Sequence, residues 1–155
     1  MDTQAYRLMH KDLTAVTGND LIHDAIHILY SQNLSGLPVI KEDWILTGYL
    51  SESDILKAAL PTYLEVLAQS SFLDDEECSL LERFNHVGNA TVSQFMNPDP
   101  IYVEPTSSLM TVADLMLRKK IKRLPVVEKG KLVGIIDRGA FCEFLMEAGK
   151  PDDKS

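Results

Sequence analysis

The sequence predicts an α+β fold built from two copies of one β-α-β-β-α unit with a helical insert between them. Three observations predict it. The stretch Leu37-Pro38-Val39-Ile40 returns as Leu124-Pro125-Val126-Val127, 87 positions later. Gly48-Tyr49-Leu50-Ser51-Glu52-Ser53-Asp54 returns as Gly134-Ile135-Ile136-Asp137-Arg138-Gly139-Ala140, 86 positions later. Upstream, Met9 matches Met96, Asp12 matches Asp99, Val16 matches Val103, Leu21 matches Leu109, Ala25 matches Ala113 and Leu29 matches Leu117. A self-match at a nearly fixed spacing is the mark of internal duplication. The boundaries it sets are 5–60 for the first repeat, 61–90 for the insert and 91–148 for the second repeat.

Each element follows from local chemistry. Residues 1–12 are a polar lead-in with a short helical turn around Leu8-Met9, and Leu13 to Val16 is a short β-prone run. Thr17-Gly18-Asn19-Asp20 is a turn cluster able to cap a helix. Ile22, Ala25, Ile26 and Leu29 recur at helical spacing, which predicts an amphipathic helix over about 21–32. Leu37 to Ile40 is a strand with Pro38 near its start, where a missing N–H is tolerated. Lys41-Glu42-Asp43 turns the chain into a strand from Ile45 to Leu50, and Ser51 caps a helix that runs to Ala59 before Pro61.

The second copy repeats this order. Ile101 to Val103 is a strand, Leu109 to Lys120 a helix and Leu124 to Glu128 a strand. Lys129-Gly130 turns into the strand from Leu132 to Ile136, and a helix over about 138–148 ends at Gly149. Each unit is a small sheet with both helices on one face, so its other face must meet the second unit. Between the copies, Tyr63, Val66 and Leu67, then Leu80, Leu81, Phe84 and Val87, predict two amphipathic helices broken near Ser70-Ser71. The insert is expected beside the sheets or in a dimer contact. Asp74-Asp75-Glu76-Glu77 precedes the second helix, where acid suits the helix dipole.

Bulk properties exclude several functions. With 155 residues, 45% of them hydrophobic, the chain can bury one good core, and two repeats of about 50 residues should share it. A formal net charge of −8 argues against nucleic acid or anionic membrane as a partner. Cys78 and Cys142 are isolated and read as reduced thiols of a cytoplasmic protein. No apolar h-region or membrane-length run is present, so a soluble protein without a signal peptide is expected. His23 and His27 lie four apart on a helix but find no third ligand, and no metal site is expected. No catalytic motif is recognisable, so a non-enzyme is expected.

The doubled pattern resembles a tandem pair of cystathionine-β-synthase (CBS) domains, the Bateman module. The residues that carry the likeness are Gly36-Leu37-Pro38-Val39 with Gly48-Tyr49-Leu50-Ser51-x-x-Asp54, and Arg123-Leu124-Pro125-Val126 with Gly134-Ile135-Ile136-Asp137-x-x-Ala140. The resemblance implies two units packed sheet to sheet about a pseudo-twofold axis. It implies clefts for adenosyl ligands such as AMP, ADP, ATP or S-adenosylmethionine, and assembly as a homodimer. It further implies a stronger site in which Tyr49 lines the cleft, Ser51 lies near phosphate or ribose and Asp54 holds the ribose hydroxyls. Ser108, Ala113, Ile121, Lys122 and Pro125 would wall the adenine, and Arg123 would face phosphate.

The second motif departs from the family pattern. Asp137 replaces the usual Ser or Thr and Ala140 replaces the usual Asp. The weaker cleft, assigned to Leu34, Ser35, Gly36, Pro38, Ile135 and Asp137, is therefore expected to be empty or to bind differently. The function expected is a stand-alone regulatory sensor that signals occupancy to an effector protein of unknown identity. The alternative is a structural dimerisation module with no functional ligand. No cofactor is expected.

Overall fold

A computed structural model describes residues 5–9, 13–60 and 76–151, with the side chains of Tyr6 and of residues 76–79 excepted. The strands are β1 (Val16–Thr17), β2 (Gly36–Lys41), β3 (Ile45–Ser51), β4 (Arg123–Glu128) and β5 (Lys131–Asp137). The α-helices are α1 (Ile22–Ser31), α2 (Glu52–Ala59), α3 (Glu76–Gly88), α4 (Val92–Phe95), α5 (Leu109–Arg118) and α6 (Arg138–Ala148). Strand order runs β1-β2-β3-β5-β4.

The chain forms two compact units. One comprises Thr14–Glu42 and Thr47–Pro100. Here β1 runs parallel to β2, with Val16 opposite Val39 and Thr17 opposite Ile40. Ile22, Ala25 and Leu29, one stripe of α1, are buried with Leu37, Val39 and Leu50 of the strands and Ile55 and Ala59 of α2. Val87 of α3 and Val92 of α4 complete this core, with Phe84 packed against it. The insert helix α3 thus packs on α1 and α2, where the sequence suggested the sheets or a dimer contact. The first predicted insert helix and Asp74-Asp75 lie outside the described residues.

The other unit holds the described residues before Thr14, together with Asp43–Leu46 and the chain from Ile101. Its spine is the β4–β5 hairpin, turned at Lys129 (φ 53°) and Gly130 (φ 83°). Two consecutive residues with positive φ match the twist of paired strands, and glycine occupies the second position at no steric cost. Val103 bridges Val126 in parallel, as Val16 meets Val39 in the first repeat. Ile45, at the start of β3, pairs with Lys131, and Leu46 N–H donates to the Gly130 carbonyl at 3.1 Å. Leu124, Val126 and Ile136 are buried with Val112, Met116 and Phe141, and Ala5 joins this cluster.

The lead segments are exchanged relative to the sequence repeats. Ala5 N–H donates to the Ser107 carbonyl at 2.9 Å, and Met9 packs on Gly134, where a Cβ would lie 2.5 Å from its sulfur. In the other unit, Met96 covers Gly48 in the same way, also at 2.5 Å. Matched methionines thus cap matched glycines.

Several local expectations need correction. Asp20 does not cap α1. The N-cap is Leu21 without a side-chain bond, and the Asp20 carboxylate accepts from Thr17 N–H at 2.8 Å. The strand expected at Ile101–Val103 shrinks to one bridge at Val103, because Pro100 and Pro105 remove backbone donors on both sides. The helix expected to reach Lys120 ends at Arg118, and Lys120 turns left-handed at φ 53°.

Candidate functional site

In the first repeat, the site residues gather where β2 begins and β3 passes into α2. Ser51 is extended (φ −112°, ψ 160°), and its hydroxyl accepts from Asp54 N–H at 3.1 Å. The Asp54 carboxylate accepts from Ser51 N–H at 3.0 Å through Oδ2, closing a capping box. One carboxylate oxygen is thereby fixed in place, and Oδ1 takes no hydrogen bond from another described residue. Glu52 N–H donates to the Ser35 carbonyl at 3.0 Å, tying the approach to β2 to the head of α2. Tyr49 lies over Gly36, where any Cβ would stand 2.6 Å from its ring and hydroxyl. Only glycine fits beneath that ring. Tyr49 is further held by paired backbone bonds to Asn97 at 3.0 and 2.8 Å. Pro38 is fully buried beneath, and Leu34 packs against the core.

A cleft of about 420 Å³ with mixed polar and apolar walls opens beside this corner. Leu34, Ser35, Glu52, Ile55, Tyr30 and Phe84 contribute to its walls. Ser51, Asp54 and Tyr49 are not among its lining. Phe84, from the insert, was not anticipated as a site residue, since its helical spacing in the sequence marks it only as apolar.

In the second repeat the same backbone connection recurs, with Arg138 N–H donating to the Lys122 carbonyl at 2.9 Å. The side chains differ. Asp137 caps α6, its Oδ1 accepting from Gly139 N–H at 2.9 Å and Ala140 N–H at 3.4 Å. Arg123 lies directly opposite Asp137 in the hairpin register, with Nη1 to Oδ2 at 3.7 Å. Its side chain is 14% exposed, that of Asp137 43%. Arg123 Nε is buried and finds no hydrogen-bond partner. Ile135 and Pro125 are buried opposite one another. Ser108 caps α5, accepting from Thr111 N–H at 3.1 Å. Ala113 and Ile121 pack against the core, while Lys122 is exposed.

The structure therefore groups the predicted residues by repeat. Ser35 and Gly36, assigned to the weaker cleft, touch the Tyr49–Asp54 segment assigned to the stronger one. Arg123, assigned to the stronger site, pairs with Asp137 of the weaker. No group of three or more metal-ligating side chains occurs among the described residues. His23 and His27 meet edge to face at 4.6 Å. No helix among the described residues is long and apolar enough to cross a membrane.

The corner occurs twice, built on the same backbone bond and flanked by matched Gly–Met contacts. The family model of the CBS domain matches the chain twice, at residues 5–61 and 92–147. The chain belongs to the CBS-domain family. An uncharacterized protein of Methanocaldococcus jannaschii is 34% identical to this CBS pair over 152 residues, covering 90% of the chain and 89% of that protein. The chloroplastic CBS domain-containing protein CBSX1 of Arabidopsis thaliana is 32% identical over 153 residues. That match covers 94% of the chain but spans only 64% of the length of CBSX1. Among solved structures, CBSX2 in complex with AMP superposes with a TM-score of 0.72 at 29% identity, covering 95% of the chain and 98% of that structure. The α+β architecture of the chain is thus that of CBS-pair proteins.

Proposed function

We propose that this CBS pair is a regulatory module that binds an adenosyl ligand and passes its occupancy to an effector protein. The observation that carries the reading is the Ser51–Asp54 capping box at the head of α2, locked to Ser35 and flanked by Tyr49. A helix N-terminus with fixed amide donors and a preset carboxylate suits a ligand that offers both hydroxyls and phosphate. Asp54 accepts the ribose hydroxyls, Ser51 meets phosphate or ribose, and Tyr49 lines the site. Ser108, Ala113, Ile121, Lys122, Arg123 and Pro125 remain the proposed contribution of the second repeat. CBSX2, similar to this chain along nearly its whole length, was crystallised with AMP, which makes AMP the first ligand to try. ADP, ATP and S-adenosylmethionine share the adenosyl group and follow it.

The mechanism is linkage. A ligand that binds one arrangement of the molecule better than another shifts the population toward it, and the partner reads that shift. The module acts by binding, without turnover of its ligand, in the cytoplasm. It works as a homodimer through exposed apolar side chains on its helices. Tyr30, Leu117 and Met146 are 88%, 81% and 68% exposed on those helices.

Thermal unfolding with AMP tests the reading. Ligand at 100 times its Kd adds about 2.7 kcal/mol, which raises Tm by roughly 5–10 °C for a chain of this size. The shift should vanish in Asp54→Ala. A second reading, a dimerisation module without a functional ligand, is favoured by the loss of the acid at Ala140. It predicts no shift with any of the four adenosyl compounds in protein freed of bound nucleotide.

A further inference from the structure

The turn from the first helix of a repeat into its hairpin, with the next helix head beside it, occurs in both repeats, and its charge reverses between them. Cap to cap, α1 matches α5 at a spacing of 87 residues, the N-caps being Leu21 and Ser108 and the C-caps Gln32 and Lys119. The left-handed residues Asn33 (φ 55°) and Lys120 (φ 53°) keep that spacing, as do the exposed apolar residues Tyr30 and Leu117. At the heads of α2 and α6 the N-caps Ser51 and Asp137 stand 86 apart, which matches Glu52 with Arg138. In the first repeat the turn Ser31-Gln32-Asn33-Leu34-Ser35 carries no charge, and the helix head beside it presents Glu52. In the second repeat the same turn is Arg118-Lys119-Lys120-Ile121-Lys122, and the helix head presents Arg138.

The first of these corners holds the cleft. Tyr30, Asn33, Glu52, Leu56 and Phe84 are among its walls, and Glu52 is the one charged side chain that lines it. Such a cleft suits an apolar side chain with cations beside it. The second corner presents that combination. Leu117 is 81% exposed, and Lys119, Lys120, Lys122 and Arg138 are exposed without a carboxylate partner among the described residues. We propose that the cleft of the first repeat seats the Leu117–Lys122 turn of a second copy of this chain, so that two chains pair head to tail through two identical contacts. Leu117 enters beside Tyr30, Leu56 and Phe84, and the cations gather against Glu52. A twofold operator repeats the contact and closes the pair. Head-to-head pairing offers the same matched apolar residues, but it sets the basic corner against itself, and like charges across an interface disfavour it. Charge thus chooses between two arrangements that apolar area leaves equal. This deepens the homodimer of the proposed function and rests on it.

Carbodiimide, which joins carboxylates to amines without a spacer, tests the arrangement on an equal mixture of heavy-nitrogen-labelled and unlabelled wild-type chain. Mass spectrometry of the digest should find Glu52 joined to Lys119, Lys120 or Lys122 in peptides that mix the two isotopes, which only a link between copies can give. Glu52→Arg and Arg138→Glu should each weaken the dimer by about tenfold or more in sedimentation equilibrium. The chain that carries both should dimerise at least about threefold more tightly than either single variant. The cross-link needs no variant, so it decides the matter even where a variant fails to fold. A dimer that gives no mixed-isotope link between Glu52 and this turn overturns the proposal and leaves the homodimer standing, as does a double variant no tighter than the singles. A wild-type chain that sediments as a monomer overturns both.

Discussion

Asp54 closes the capping box of α2 and is the proposed acceptor of the ribose hydroxyls, and the two roles separate by substitution. The capping box uses one carboxylate oxygen to hold Ser51 N–H, while Ser51 itself caps Asp54 N–H. Asp54→Ala should lose the reciprocal bond at a cost of about 0.5–2 kcal/mol, measured by urea unfolding. Asp54→Asn should restore most of that stability, since an amide oxygen can still accept, yet it should bind AMP more weakly because a charged acceptor makes the stronger bond to a ribose hydroxyl. Equal AMP affinity for Asn and Asp at this position would remove the ribose role. The capping box was legible in the sequence, because Ser-x-x-Asp ahead of an apolar stripe carries its own geometry. The Arg123–Asp137 pair was not. A two-residue turn at Lys129-Gly130 alone would set Arg123 opposite Ile136. The register slips by one between Val126 and Val127, and only that irregularity brings Asp137 across from Arg123.

Among the elements, the β2–β3 corner depends on side chains that glycine leaves room for. A methyl group on Gly36 would stand 2.6 Å from the Tyr49 ring, and one on Gly48 would meet Met96 sulfur at 2.5 Å and the Asn97 carbonyl at 2.8 Å. Gly48→Ala should destabilise by about 1–3 kcal/mol, because the Asn97 carbonyl is backbone and cannot step aside. Gly36→Ala should cost a similar amount, about 1–3 kcal/mol, but the loss should largely disappear in a Tyr49→Ala background. A double-mutant cycle in urea measures that coupling, and strict additivity would mean that Tyr49 is not what excludes a side chain at Gly36. The strands, helices and hairpin turns were readable from periodicity and glycine placement. The failures have one cause: local hydrogen-bond chemistry competed with the expected element. Asp20 closed a surface turn back onto Thr17 N–H, and the strand at Ile101–Val103 was starved of donors by its flanking prolines.

At the scale of the whole molecule, the duplication was plain in the sequence, whereas the exchange of lead segments was not. Nothing in the composition of residues 5–9 says which repeat they pack with, because Ala5 and Met9 would suit either core. The exposed apolar residues of the helices make the assembly testable. Sedimentation velocity should give twice the chain mass. Leu117→Glu combined with Met146→Glu should halve it without lowering the stability of the chain by more than about 0.5 kcal/mol each, as expected for surface positions. A monomeric wild-type protein at micromolar concentration would remove the dimer from the account.

The most direct test of ligand sensing is isothermal titration of AMP into nucleotide-free protein, with Asp54→Ala measured alongside. The account predicts saturable binding by the wild-type chain and a loss of at least about tenfold in the variant, the scale of one charge-assisted hydrogen bond. Saturable binding unchanged by Asp54→Ala would contradict it, and no heat with AMP, ADP, ATP or S-adenosylmethionine would leave the chain as a structural CBS pair.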